Sequence, residues 1–274
     1  MSAKIYLSEV DMTKEPLRYY DDFVDIKDRL IEYGIDVVEE EIDIDEFKSW
    51  LKEFTRINTQ YQAYGEVHIE KCLEHYLSYK VLDFKTTDIF MDIAASGSQY
   101  ADDLYYGKKV KQTYVLDLSY PEGIHGNKIG ANAGDTKLPD EFIDKMGMHC
   151  AYECFEGKAD IEYLSEAQRI LKPKGRFVIL PLYLDKTYFN CTSDKCDQKN
   201  VSFDEDAAKV WRDDVYAVPF ARHYSAKIFY ERIFKNLPKG IKGKIIFYKN
   251  LPELMKEFDD QRVYCYFAFV GEKI

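Results

Sequence analysis

Residues 86–274 predict an α/β fold, a largely parallel sheet with helices on both faces, and three observations carry the prediction. Short apolar runs alternate with helical stretches, as strands and crossover helices do in such sheets. The chain has 274 residues, of which 46% are hydrophobic and 15% aromatic, enough to bury a substantial core. The six cysteines fit a reducing compartment, in a chain too large to need disulfide staples.

Residues 1–85 read as a separate, acidic and helical extension. Tyr20, Phe23, Val24, Ile26, Leu30 and Ile31 recur at helical spacing before Gly34, and residues 45–55 and 61–82 repeat the pattern. Such a segment could pack on the main domain or serve as a lid over an acceptor site. Strands are expected at 88–94, 112–118, 127–133, 146–151, 175–184, 243–248 and 262–270. Helices are expected at 98–106, 138–145, 160–172 and 223–236.

The formal charge of −11, with basic residues scattered among acids, leaves no cationic stripe for a phosphate backbone, so nucleic acid is not expected as a partner. No export signal and no membrane span are read, which predicts a cytoplasmic protein. Cys150/Cys154 and Cys191/Cys196 are spaced more loosely than a zinc knuckle, and no metal is expected.

Three strand ends carry the candidate chemistry. In DIFMDIAASGSQYADDL, Asp92 closes a strand and Ala94, Ala95, Ser96, Gly97 and Ser98 lead into a helix. Small residues there let a ligand approach the backbone. The next strand ends at Asp117 and Leu118, placing an acid where it can bind ribose hydroxyls. The third ends near Asp135 and Thr136, where a carboxylate can accept from an adenine amino group.

The run GDTKLPDEFIDKMGMHCAYECFEGKADIEYLSEAQRILKPKGRFVIL resembles the class I S-adenosylmethionine-dependent methyltransferases through Leu138-Pro139, Asp144, Glu153, Glu166, Arg169, Ile170, Leu171, Lys172, Pro173 and Gly175. The resemblance spans residues 88–184 and weakens beyond. It implies a Rossmann-like seven-stranded sheet with the last strand antiparallel, and S-adenosylmethionine bound by Asp92, Ala94, Ser96, Gly97, Ser98, Asp117, Leu118, Asp135, Thr136 and His149. Where the family writes D-x-G-x-G-x-G, this chain has alanine and serine at the glycine positions, so a required positive φ would be strained. The stretches YPEGIHGNKIGANAGD, HCAYECFEGKAD, ILPLYL and FARHYSAKIFYERI also resemble a subgroup found with bacterial surface-polysaccharide genes. That implies a small-molecule acceptor, a sugar hydroxyl.

A hydroxyl acceptor must lose a proton, and His149 and Glu153 are the candidate catalytic groups. The acceptor pocket is expected from three pieces, the N-terminal region around Tyr61 and Tyr64, the loop with His149 and Glu153, and the 185–224 connection ending in Arg222 and His223, with His125 a further candidate contact. The alternatives are an NAD-dependent oxidoreductase, which would use the same turn and Asp117, and a cofactor-binding protein without catalytic activity.

Overall fold

The computed structural model describes residues 4–6, 20–197, 199–212 and 218–274. Its centre is an eight-stranded sheet. Seven strands come from the second part of the chain: β3 (Ile89–Ile93), β4 (Gln112–His125), β5 (Lys128–Gly130), β6 (Ile143–His149), β7 (Leu171–Leu180), β12 (Ile241–Tyr248) and β13 (Phe267–Lys273). They lie in the order β5-β4-β3-β6-β7-β13-β12, and β13 runs antiparallel to both neighbours. The expected Rossmann-like α/β sheet with its last strand antiparallel is therefore present.

The eighth strand corrects the reading of the first 85 residues as helical. β2 (Val37–Glu40) pairs in parallel with β12 and extends the sheet beyond it. Its two acids and four-residue length hid it within an acidic helical pattern, yet Val37 and Val38 continue the apolar ladder of Ile245 and Ile246. A further two-residue strand, β1 (Ile5–Tyr6), joins the small sheet described below. The remaining elements of this region are helices: α1 (Tyr20–Glu32), α2 (Ile44–Glu53), α3 (Thr55–Tyr61) and α4 (His68–Leu82). Phe23, Ile26 and Leu30 of α1 and Phe47, Trp50 and Leu51 of α2 are buried in the same core as the strands.

Residue pairing shows which face each helix covers. Phe90, Asp92 and Gly147 share a face, and α4 and α5 (Tyr100–Tyr106) lie over it through Tyr100 and His75. Phe177 and Phe269 point the other way, against Tyr163 of α6 (Ala159–Ile170) and Phe229 of α7 (Ala226–Arg232). A short α8 (Leu251–Glu257) links β12 to β13.

The helix expected at 138–145 does not form: Leu138 and Pro139 lie in an irregular segment, residues 140–141 turn, and β6 begins at Ile143. Proline disfavours helical geometry at the residue before it, and Leu138 is buried with its carbonyl on Arg169. The same arginine and Glu166 anchor this segment: Glu166 accepts from the Thr136 amide and hydroxyl, and Arg169 reaches Asp140 at 2.7 Å. Asp144 accepts from the Ile89 amide and from Lys172. The most recognisable stretch of the sequence thus ties α6 to the strand entry instead of facing a ligand.

The long 185–224 connection has substructure of its own. β8 (Leu184–Asp185), β9 (Phe189–Ser193), β10 (Ala208–Arg212) and β11 (Ala221–Ser225) form a five-stranded sheet with β1, in the order β1-β10-β9-β11-β8, around Phe189, Cys191, Val210 and Ala221.

Candidate functional site

Strand order reverses between β3 and β6, and ligands of open α/β sheets bind in the crevice beyond the carboxyl ends at that switch point. A pocket of about 270 Å³ lies there, lined by Ala94, Leu116, Asp117, Leu118, Ala131–Ala133, Cys154–Glu156 and Ala159. It falls just below the ~300–1,000 Å³ of pockets that hold a whole drug-sized ligand, a size suited to the nucleoside part of a larger cofactor. Its walls are mostly small or apolar, with Asp117, Asn132 and Glu156 as polar groups. A flat apolar ring with a polyol at one end matches that distribution.

The turn after β3 is built without the expected glycines. Ala94 adopts φ 53°, so the left-handed backbone demanded at the first position is reached by alanine, and Gly97 supplies φ 79°. Left-handed geometry costs a non-glycine residue ~1–2 kcal/mol, and the surroundings hold it in place. The Ser96 amide donates to Asp117 Oδ2 (3.1 Å), the Ser119 amide to Asp117 Oδ1 (2.8 Å), and Ser119 Oγ donates to Ser96 Oγ (3.1 Å). From α3, Gln60 donates to the Gly97 carbonyl (3.0 Å) and accepts from the Gln99 amide (2.9 Å). Ser98 Oγ accepts from the Tyr100 amide. Each carboxylate oxygen of Asp117 keeps lone-pair capacity for a ligand hydroxyl.

On the other side of that turn, Asp92 is fully buried and 2.9 Å from His149 Nδ1. With Nδ1–H donating to the Asp92 carboxylate, Nε2 is left without a hydrogen-bond partner. The imidazole folds back over Gly147, where a Cβ would lie 2.6 Å from His149 Cε1; glycine is required there by His149. The His75 ring from α4 stacks on His149 at 4.2 Å, and burial holds the His75 imidazole well below the ordinary range, so it is neutral. The ligand atoms of His75, Asp92 and His149 lie within 4.8 Å of one another. Stacked rings direct their lone pairs side by side instead of toward one point, and a carboxylate oxygen already holds the His149 proton. This arrangement suits a histidine oriented for proton transfer better than a metal centre. Among the described residues the two cysteine pairs form no such group, and none of the six cysteines is in a disulfide.

The remaining sequence candidates separate. Tyr61 packs edge-on against Tyr64 (5.0 Å) and beside His75 (5.6 Å), next to the dyad, and burial pushes its phenol up. Glu153 is buried by the same crevice, its carboxyl raised by burial, with Cys150 Sγ 3.4 Å from Oε1. Asp135 does not line the pocket: it is exposed and paired with Lys137 at 2.6 Å. Because β5 ends at Gly130, three residues earlier than its apolar run suggested, the strand-end position falls on Asn132. Thr136 is buried on Glu166. His125 is exposed on the outer limb of the β4–β5 hairpin, at the far edge of the sheet, where its ring bonds the Glu122 carbonyl.

Arg222 was expected to contact the acceptor, and the structure contradicts this. Its side chain is fully buried, with Nε and Nη2 on Asp204 (2.8 and 3.0 Å), Nη1 on the Phe155 carbonyl (2.6 Å) and on Asp160 (3.1 Å), and Nη2 also on the Gly157 carbonyl (3.2 Å). All its donor directions are used, and its effect on the pocket is indirect: it fixes the segment that carries Phe155. His223 is buried too, stacked on Phe189 at 4.4 Å and facing Asp185. Asn132, Phe155 and Gln60 were missed from the sequence. An aromatic residue just beyond the fourth strand was the available signal for Phe155, and Gln60 had none.

The fold and pocket define a doubly wound α/β protein with a nucleoside-sized crevice at its switch point. No family model and no curated protein matches the chain. Solved methyltransferase structures are similar to it in fold over most of its length. One is the 1,6-didemethyltoxoflavin-N1-methyltransferase of Burkholderia thailandensis with S-adenosylhomocysteine bound: 12% identity, 83% of this chain and 86% of that one, TM-score 0.46. Another is a phosphoethanolamine N-methyltransferase of Haemonchus contortus, also with S-adenosylhomocysteine: 14% identity, 84% of this chain and 49% of that one, TM-score 0.43. Among the described residues no helix is long and apolar enough to cross a membrane.

Proposed function

We propose that this protein is an S-adenosylmethionine-dependent methyltransferase acting on a small molecule. The observation that carries the reading is the pocket closed by Asp117 at the switch point of a sheet whose last strand is antiparallel. The residues fit the cofactor: Asp117 meets the ribose hydroxyls, and Leu118, Ala131, Ala133 and Phe155 enclose the adenine. The backbone from Ala94 to Gly97 is already shaped for close approach despite its missing glycines. When bound, the cofactor supplies an electrophilic methyl group on a sulfonium.

The sugar-hydroxyl acceptor belongs to the same proposal and is supported by the Asp92–His149 pair. Asp92 holds the imidazole in one tautomer, and His149 Nε2 takes the proton that a hydroxyl loses as it attacks. His75 and Tyr100 pack around the ring and exclude water from it. The residues around Tyr61 and α3 serve as the lid.

Calorimetric titration with S-adenosylhomocysteine and, separately, NAD tests the cofactor. Micromolar binding of the first without the second is expected; the reverse result would assign the crevice to an oxidoreductase, and no binding of either would remove the enzyme reading. Replacing His149 with asparagine should leave S-adenosylhomocysteine affinity intact and lower kcat by ~10²–10⁴. An unchanged kcat would take His149 out of the reaction.

A further inference from the structure

Beside the Asp92–His149 pair lies a second buried polar cluster that methyl transfer to a hydroxyl does not use. From α4 come Glu70, Lys71 and Glu74, and from the turn after β6 come Cys150 and Glu153, the former next to His149 in the chain. Lys71 Nζ donates to Glu74 Oε1 at 2.7 Å and also reaches the Cys150 sulfur, which lies 3.4 Å from Glu153 Oε1 and 3.5 Å from the Tyr183 hydroxyl. Glu74 and Glu153, from separate elements, are thus linked through one ammonium and one thiol.

Each of these carboxylates uses one oxygen in that chain. The other oxygen, Glu74 Oε2 and Glu153 Oε2, is buried with no hydrogen-bond partner, and the two residues are only 1% and 8% exposed. A buried acceptor without a partner is destabilising, more so when charged, and two within one linked cluster call for a donor. Glu70 and Glu74 lie against Lys71, and Glu153 lies against Lys71 and Arg212. Burial is the main cause that pushes all three acids up, and Lys71 opposes it at each.

We propose that Glu74 and Glu153 bind a protonated amine carried by the methyl acceptor, beside the ring of Tyr183. A hydroxyl offers one donor and could satisfy one of the two oxygens; an ammonium offers three and a positive charge. Aromatic rings next to the carboxylates favour a cation further: Tyr264 already lies 5.7 Å from the Lys71 ammonium and stacks with Tyr183. The inference rests on the methyltransferase reading and narrows its acceptor to an amine-bearing compound, such as an amino sugar whose hydroxyl faces His149.

The test is calorimetry on the full chain saturated with S-adenosylhomocysteine, using D-glucosamine, N-acetylglucosamine, D-glucose and n-butylamine as probes. Binding of glucosamine and butylamine is expected, with glucose and the uncharged N-acetyl sugar at least about tenfold weaker. Glu74→Gln and Glu153→Gln keep shape and remove charge, and each should weaken glucosamine by about tenfold to a hundredfold, with S-adenosylhomocysteine affinity unchanged. Equal binding of glucose and glucosamine, or no amine binding by protein that binds S-adenosylhomocysteine, would overturn the amine site and leave the cofactor reading standing. Amine binding without S-adenosylhomocysteine binding would do the opposite. If either glutamine variant fails to fold, the four-probe comparison on the unmodified protein decides; glucose binding as tightly as glucosamine overturns the proposal.

Discussion

The two sides of the crevice are made of different material. Over β3, β4 and β5 the pocket is mainly backbone and small side chains, with Asp117 accepting amides from its own turn. Beside it, between α4 and the turn after β6, the groups are long, buried and titratable: Glu70, Lys71, Glu74, Cys150, Glu153 and Tyr183. The first construction suits one invariant ligand, because backbone geometry tolerates many side chains. The second suits selection among ligands, because each buried polar atom must be matched or it costs stability.

Arg222 fixes the segment that carries Phe155 in the pocket wall, and its removal should have the largest effect. Removing the guanidinium takes both charged hydrogen bonds from the half-buried Asp204, while Arg232 still holds Asp160, and should cost ~3 kcal/mol. Chemical denaturation of Arg222→Ala would show it as a lower midpoint. A variant with wild-type stability and weakened acceptor binding would restore Arg222 to the acceptor site. Lysine at 222 should recover only part of the loss, since it cannot span Asp204 and the Phe155 carbonyl together.

Next comes pH, which separates the two sides directly. Burial pushes Glu70 up to about 8 and Glu74 up to about 7, so the folded chain keeps protons that the unfolded chain releases near pH 4.5. Their contribution to stability is greatest below that value and falls as pH rises toward 8. Glu166 and Asp204 work in the opposite direction. Burial opposes their ionisation, but hydrogen bonds from Arg169 and Arg222 outweigh it and hold both acids low, so their contribution is lost in more acidic solution. Stability should peak in mildly acid solution, and Glu74→Gln should flatten the alkaline decline. A urea midpoint that rises steadily from pH 5 to 8 would contradict the assignment.

Replacing Asp117 with alanine comes third. It removes a charged acceptor from the cofactor side, worth ~1.5–3 kcal/mol, about tenfold to a hundredfold in S-adenosylhomocysteine affinity. Amine binding on the other side should be unaffected. Unchanged cofactor affinity would remove Asp117 from the pocket.

The contrast also explains what the sequence could convey. Strands announce themselves through apolar runs, so the sheet was legible, as were the small-residue turn and Asp117 at the end of its strand. β2 was hidden because a four-residue edge strand with two acids has too few positions to show a period. Asp135 stands at the end of the apolar run and Asn132 at the end of the strand, because an apolar run does not reveal where pairing stops. Arg222 was misplaced for a different reason: a cation near acids reads alike on a surface and in a core, and only the three-dimensional neighbours Asp160, Asp204 and Phe155 distinguish the two. The cluster on α4 was unreadable, since Glu70, Lys71 and Glu74 look like the solvated face of a helix until β6 and β13 are packed over them.

The smallest effect expected is at Ala94, and it bears on how the cofactor side tolerates its unusual turn. Its φ of 53° is strained for alanine, and the hydrogen bonds of Ser96, Gly97 and Gln60 hold the segment there. Glycine at 94 would relieve ~1–2 kcal/mol of backbone strain but give back ~0.4–1 kcal/mol through a freer unfolded chain. The net gain should be close to ~1 kcal/mol, a rise of about 2–4 °C in Tm. S-adenosylhomocysteine affinity should hold or tighten slightly, because the backbone conformation is already the one the ligand needs. Thermal denaturation with calorimetry on Ala94→Gly measures both quantities. A fall in Tm would mean that the alanine methyl packs usefully in the pocket wall, making the departure from glycine a gain in packing instead of a tolerated strain.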